Sequence, residues 1–263
     1  MELGLEDRVA IVAAASQGLG RAAAAGLAAE GAKVVIFSRH RKDIEAAARD
    51  ISKSTMSEVV SLIADVTKIG DIERVVRTAV ERFGRVDILI NNAGGPPVAQ
   101  FMDLADEQWL EGVSLTLMSV VRLTREVIPH MRKRRWGRII TITSVAAKQP
   151  ISDLVISSTL RPGILGLTNV LARELARDNI LVNNVAPGSF LTKRQEELLK
   201  SRSASQNMTV EQYLAAQTRN IPIGRFGTPE ELANVIVFLA SEKASYVTGA
   251  TISVDGGVIK GIL

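Results

Sequence analysis

Groups able to hold a ligand gather at a few turns of this sequence. Ala13-Ala14-Ala15-Ser16-Gln17-Gly18-Leu19-Gly20 joins an apolar run to a helix-forming stretch. Such a junction aims backbone N–H groups and a helix N-terminus at one point, which suits a pyrophosphate. Gly18 and Gly20 let ligand and backbone approach closely. Taken alone, two glycines are equally an ordinary strand–helix turn. The next apolar run ends Phe37-Ser38-Arg39, followed by His40-Arg41-Lys42. An acid at that strand end would bind adenosine ribose hydroxyls, whereas Arg39 suits a 2′-phosphate. No Asp or Glu occupies 37–41, so NADP is expected over NAD. Asn91-Asn92-Ala93-Gly94 and Pro187-Gly188 close two further runs. In isolation each reads as a turn, but both fall where open α/β sheets bind ligands.

The elements that must position these groups alternate. Strands are expected at 8–13, 33–38, 58–64, 86–90, 138–143, 180–185 and 251–254. Most are continuous apolar runs, as strands are when both sheet faces are covered. Helices are expected at 18–30, 42–52, 70–83, 106–135, 153–178 and 229–240. Repeated strand–helix–strand units imply right-handed crossovers and an α/β, doubly wound Rossmann sheet of seven parallel strands. Such a sheet needs most of the chain, so residues 1–263 are expected to form a single domain. One segment, 189–220, breaks the rhythm. It is polar, with Leu191, Leu198, Leu199, Tyr213 and Leu214 spaced for short amphipathic helices. An insertion after a strand's C-terminal end often covers a ligand crevice, so a lid is expected.

Composition removes other chemistries. The 263 residues are 46% hydrophobic, too apolar for disorder, and contain no Cys. Disulfides, thiolate metal sites and Cys nucleophiles are thereby excluded. Only His40 and His130 offer imidazole, so no metal site is expected. A net charge of +4 gives no reason to expect nucleic acid. The basic run Arg132-Lys133-Arg134-Arg135 suits a helix C-terminus, where the macrodipole favours cations. No apolar stretch is long enough for a membrane span. The acidic N-terminus lacks a signal-peptide core. A cytoplasmic protein is expected.

Three further motifs carry a family resemblance. They are Asn91-Asn92-Ala93-Gly94, the run Asn183-Asn184-Val185-Ala186-Pro187-Gly188 with Thr192, and a tail from Gly224-Arg225-Phe226-Gly227-Thr228-Pro229-Glu230-Glu231 to Val254-Asp255-Gly256-Gly257. With Asp65-Val66 they resemble the short-chain dehydrogenase/reductase family, especially its 3-oxoacyl-carrier-protein reductase-like and sugar-dehydrogenase-like members. The resemblance spans almost the whole chain. It implies that Asp65 and Val66 hold the adenine, and that Ser16 to Gly20 take the pyrophosphate. Asn91, Asn92, Ala93 and Gly94 would line the cofactor trough and brace the sheet. Pro187, Gly188 and Thr192 would hold the nicotinamide end.

Two departures matter. The family's phosphate loop usually opens Thr-Gly, where this chain has Ala13 and Ala14. Ala14 adds a methyl where the turn is tight and restricts positive φ. The family's catalytic tetrad is Asn, Ser, Tyr and Lys. Ser144 matches the Ser, but the Asn position falls on Thr116, the Tyr position on Ser157 and the Lys position on Arg161. A divergent group of the family is similar, with Ser-x-x-x-Arg and an upstream Lys-x-Pro like Lys148-Gln149-Pro150. Reducing a ketone needs a proton at the developing alkoxide. A serine hydroxyl is a far weaker acid than a phenol, and Arg161 does not easily give up a proton.

The resemblance therefore implies an NADP-dependent oxidoreductase interconverting a carbonyl and an alcohol on a small ketone, sugar or acyl-type substrate. Ser144 would orient the substrate and Arg161 the nicotinamide ribose. Ser157, Lys148 and water compete as the proton source; of the two tyrosines, Tyr246 is expected to pack in the tail and Tyr213 to reach the site only on closure of the lid. The alternative is a dinucleotide-binding protein with weak or no dehydrogenase activity. A serine hydrolase on Ser144 lacks both a His base and a Gly-x-Ser-x-Gly turn. Apolar residues on more than one face of 106–135 and 153–178, together with the resemblance, imply a homo-oligomer, dimer or tetramer.

Overall fold

The computed structural model describes residues 2–261, apart from the side chains of Arg194, Leu198 and Ser201. Leu198, expected on an apolar face of the insertion, therefore lies outside the described side chains.

Seven strands form one parallel sheet: β1 (Val9–Ala13), β2 (Lys33–Ser38), β3 (Val59–Ile63), β4 (Ile88–Asn91), β5 (Gly137–Ile142), β6 (Ile180–Pro187) and β7 (Thr251–Val254). Their spatial order is β3-β2-β1-β4-β5-β6-β7. The chain moves outward from β1 to β3, returns to pair β4 with β1, and then moves outward the other way. The reversal opens a crevice at the C-terminal ends of β1 and β4. β1, β4, β5 and β6 are buried along their whole length, which explains their unbroken apolar runs.

Side chains alternate between two cores. Ala10 and Val12 of β1 face α1 (Gly18–Ala29), α2 (Arg41–Thr55) and α9 (Pro229–Ala240). Val9, Ile11 and Ala13 face α3 (Ile69–Phe83), α5 (Ser119–Arg134) and α6 (Val155–Leu175). α9 begins with a capping box, in which the Thr228 N–H donates to Glu231 at 2.9 Å, with Pro229 in the first turn. Arg225 forks onto the same carboxylate at 2.8 and 2.6 Å. That fork, with the Thr228 N–H, pulls the Glu231 pKa down to about 2.

Two expectations are corrected. Residues 106–135 are not one regular helix: α4 (Asp106–Gly112) and α5 are joined by a π-helical turn, Val113–Met118. Periodicity misses it because one wide turn only rotates the apolar stripe. Tyr246, expected to pack, is fully exposed. The basic run sits in the last turn of α5, where Arg132 bonds Asp178 at 2.9 Å and Arg135 donates to the Arg177 carbonyl. The insertion folds as α7 (Lys193–Ser205) and α8 (Val210–Arg219), with Leu199, Tyr213, Ile221 and Phe226 in a small core of their own. No helix among the described residues is long and apolar enough to cross a membrane.

Candidate active site

A cleft of about 730 Å³ runs along the C-terminal ends of the strands. Ser16, Gln17, Gly18 and Leu19 line one side of it. Gln17, at the N-cap of α1, makes no side-chain capping bond, and no acid occupies the first turn. The first N–H groups and the positive helix end therefore meet the cleft. Gly18 sits at φ +59°. Gly20 is absent from the wall and serves packing instead. A Cβ there would lie 2.6 Å from Asn92 Nδ2 and 2.7 Å from the Ala14 carbonyl oxygen. Asn92 donates to that carbonyl at 3.3 Å, tying β4 to the loop. Ala14 adopts φ +48°, the left-handed region that favours glycine.

Ser38, Arg39, Asp65 and Val66 line the adjoining end. The Ser38 hydroxyl is buried with no hydrogen-bond partner. Arg39 is exposed on the wall. Asp65 accepts from the Thr67 N–H at 2.9 Å and its hydroxyl at 2.8 Å through one oxygen. The open helix N-terminus, the orphaned Ser38 hydroxyl and an arginine at the β2 end fit a dinucleotide, and no feature of the wall conflicts with one. Asn92, Ala93 and Gly94 are on the wall; Asn91 is not. Asn91 is buried, donating to Thr124 at 3.2 Å and Thr141 at 3.4 Å, and so braces the sheet.

Ser144, Ser157 and Arg161 converge on the inner wall, the first just beyond β5 and the others in the first turns of α6. The Ser144 hydroxyl oxygen accepts from the Ala146 N–H at 3.1 Å, capping a short 3-10 turn. Its proton remains available for a ligand. Arg161 Nε donates to the Ser157 oxygen at 3.0 Å. The same guanidinium donates from Nη1 to the Thr143 carbonyl at 2.6 Å and the Ile142 carbonyl at 3.4 Å. β5 and α6 are thereby clamped together beneath the site.

Two candidates are displaced. Lys148 is not on the wall; its ammonium lies 3.5 Å from the Thr251 carbonyl and from the Ser253 hydroxyl, on the β7 side. The turn Val145–Ala147 carries it there. Thr116, in the π-helical turn, is buried behind the wall with its hydroxyl unpartnered.

Pro187, Gly188 and Thr192 line the far end. A Cβ at Gly188 would lie 2.9 Å from Asp255 Cα, so the strand end passes against that turn. The Thr192 oxygen caps α7, accepting from the Gln195 N–H at 3.2 Å. Lys193, Gln195, Arg202 and Gln217 of the insertion also face the cleft. Arg202 forms an ion pair with Asp153, just before α6. Sequence reasoning missed this pair, since no local pattern links residues so far apart. Neither Tyr213 nor Tyr246 is on the wall.

A family model described as Enoyl-(Acyl carrier protein) reductase matches residues 13–259. The chain is 36% identical over 254 residues to Dehydrogenase/reductase SDR family member 4 of Oryctolagus cuniculus, covering 96% of this chain and 94% of that protein. It is 38% identical over 256 residues to 3-oxoacyl-(acyl-carrier-protein) reductase FabG of Escherichia coli (strain K12), covering 97% and 99%. The structure of L-sorbose reductase from Gluconobacter frateurii, complexed with NADPH and L-sorbose, superposes with a TM-score of 0.96 at 36% identity, covering 100% of both chains.

Proposed function

Since the chain belongs to the short-chain dehydrogenase/reductase family, and so is an NAD(P)-dependent oxidoreductase interconverting a carbonyl and an alcohol, we propose that it uses NADP(H) to reduce a small ketone of sugar or 3-oxoacyl type. One observation carries the cofactor preference: β2 ends on a buried, unpartnered Ser38 hydroxyl beside Arg39, with no acid there. That pair offers a donor and a fixed cation to a 2′-phosphate. The NADPH named with L-sorbose reductase points the same way. The polar groups of the lid side, Gln217 and the Asp153–Arg202 pair, suit a substrate rich in hydroxyl or carbonyl oxygen.

When bound, NADPH supplies hydride to the carbonyl carbon. The N-terminus of α1 would take the pyrophosphate, and Asp65 and Val66 would hold the adenine. Arg161 and the Pro187–Thr192 end would hold the nicotinamide half. Ser144 orients the substrate by donating its hydroxyl proton to the carbonyl oxygen, its own oxygen being fixed by Ala146. Exposed Leu110 of α4 and Val170 of α6 support a dimer or tetramer, and we place the protein in the cytoplasm.

The test is a fluorescence titration with NADPH followed by a panel of ketones and alcohols. Binding with turnover supports the reading. Binding without turnover favours the alternative, a dinucleotide-binding protein of weak activity, a reading that the absence of tyrosine from the wall recommends. Failure to bind refutes the proposal.

A further inference from the structure

We propose that the Ser157 hydroxyl, held and acidified by Arg161, delivers the proton to the substrate's carbonyl oxygen. The proposal rests on carbonyl reduction being the reaction.

The inventory of proton donors at the inner wall is short. Tyr213 is enclosed in the core of the lid, and Tyr246 stands exposed outside the cleft. The chain has no Cys, and His130 is not on the wall. His40 is at the adenosine end, beside Arg39. Asp153 is engaged by Arg202, and Lys148 points toward β7. Thr143 spends its hydroxyl on the Val185 carbonyl at 2.9 Å, and Ser189, Thr192 and Lys193 follow Pro187 and Gly188 at the far end. Among the side chains of the inner wall that leaves the hydroxyls of Ser144 and Ser157.

Their partners separate them. The Ser144 oxygen accepts from a neutral backbone N–H, at 3.1 Å. The Ser157 oxygen accepts from a guanidinium, at 3.0 Å, and that guanidinium is pinned by the Thr143 carbonyl. A hydrogen bond from a cation stabilises the alkoxide form of its acceptor more than a neutral one does. Ser157 is 6% exposed, so little solvent screens the pair. Its proton and one lone pair remain for the cleft. A carbonyl oxygen receiving hydride becomes an alkoxide as basic as a serine alkoxide. Transfer from Ser157 is therefore near balance, and the fixed charge of Arg161 tips it forward.

The step closes as follows. Hydride adds to the carbonyl carbon, and the π electron pair moves onto oxygen. The Ser157 O–H bond breaks as the product O–H bond forms. The Ser157 alkoxide rests against Arg161 and regains a proton from a water of the cleft, whose hydroxide leaves to buffer. Ser157 is thus a catalytic residue, and Arg161 acts on the proton through it.

The absence of cysteine allows a readout independent of turnover. Ser157→Cys places the chain's single thiol against Arg161, and its titration is followed by thiolate absorbance and iodoacetamide alkylation. The expected thiol pKa lies at least one unit below that of Ser157→Cys/Arg161→Gln, about a tenfold larger thiolate fraction near pH 7. Equal values in the two variants overturn the acidifying role of Arg161. Kinetics with NADPH and either L-sorbose or an acetoacetyl thioester test the transfer. Ser157→Ala is expected to lower kcat by about 100-fold or more with NADPH affinity unchanged, and Ser157→Thr to restore most of it. An unchanged kcat in Ser157→Ala, with NADPH bound normally, overturns the donor role alone. Failure of the wild type to bind NADPH overturns the proposed function, and the donor role falls with it.

Discussion

Replacing Ala14 with glycine should stabilise the protein, against the usual direction for alanine-to-glycine changes. Ala14 follows β1 at φ +48°, where its Cβ crowds the backbone. An L residue in that region costs roughly 1–2 kcal/mol relative to its preferred conformations. Glycine removes this cost but widens the freedom of the unfolded chain, which opposes the gain by about 0.4–1 kcal/mol. The net expectation is a gain of about 0.5–1 kcal/mol. At about 2–4 °C per kcal/mol for a chain of this size, Tm should rise by about 1–4 °C. Ala13→Gly is the control, one residue earlier and fully buried in β1. It loses a buried methyl and weakens a strand, for a loss of about 1.5 kcal/mol. Thermal unfolding of both variants without cofactor measures the contrast. If Ala14→Gly lowers Tm as Ala13→Gly does, the account of strain at the phosphate loop is wrong.

Arg39→Asp should weaken NADPH by about 1.5–3 kcal/mol while sparing NADH. Equal losses for the two cofactors, measured by fluorescence titration, would remove the 2′-phosphate role. Gly188→Ala forces a Cβ to 2.9 Å from Asp255 and should cost about 1–3 kcal/mol in urea unfolding. A variant as stable as wild type would show that this turn yields freely. Glu231 has a folded pKa near 2, below its ordinary 4.5. Its contribution is therefore present above pH 4.5 and fades as pH falls toward 2. The urea midpoint of Glu231→Gln should lie below that of wild type at pH 7, and the gap should shrink steadily below pH 4.5 until the two converge at about pH 2 and below. A gap that persists in acid contradicts this.

Burial on both faces made the strands legible. Val9–Ala13 and Lys33–Ser38 are apolar without alternation because helices cover the sheet on either side. Turn chemistry was legible too: positive φ at Ala14 and Gly18 follows from a strand that must end sharply against a helix. Orientation was not. Lys148 stands four residues from Ser144, yet the short turn after Ser144 sends it toward β7. No periodicity distinguishes a wall residue such as Ser157 from a bracing one such as Asn91, since both are polar and buried. The Arg161–Ser157 contact was open to inference from helical spacing, since residues four apart share a face. The Asp153–Arg202 pair had no such signal.

The packing of α1 against α9 has a consequence for biosynthesis. Gly26 of α1 brings its backbone against Val237 and Ala233 of α9, so the first helix is sealed by the last. During translation α1 emerges well before α9, so the face around Gly26 is turned toward a surface that the ribosome has yet to make. β1 likewise waits for β4 on one side. The nascent chain therefore carries an adhesive apolar stripe through most of its synthesis, an interval when a chaperone has the most to cover.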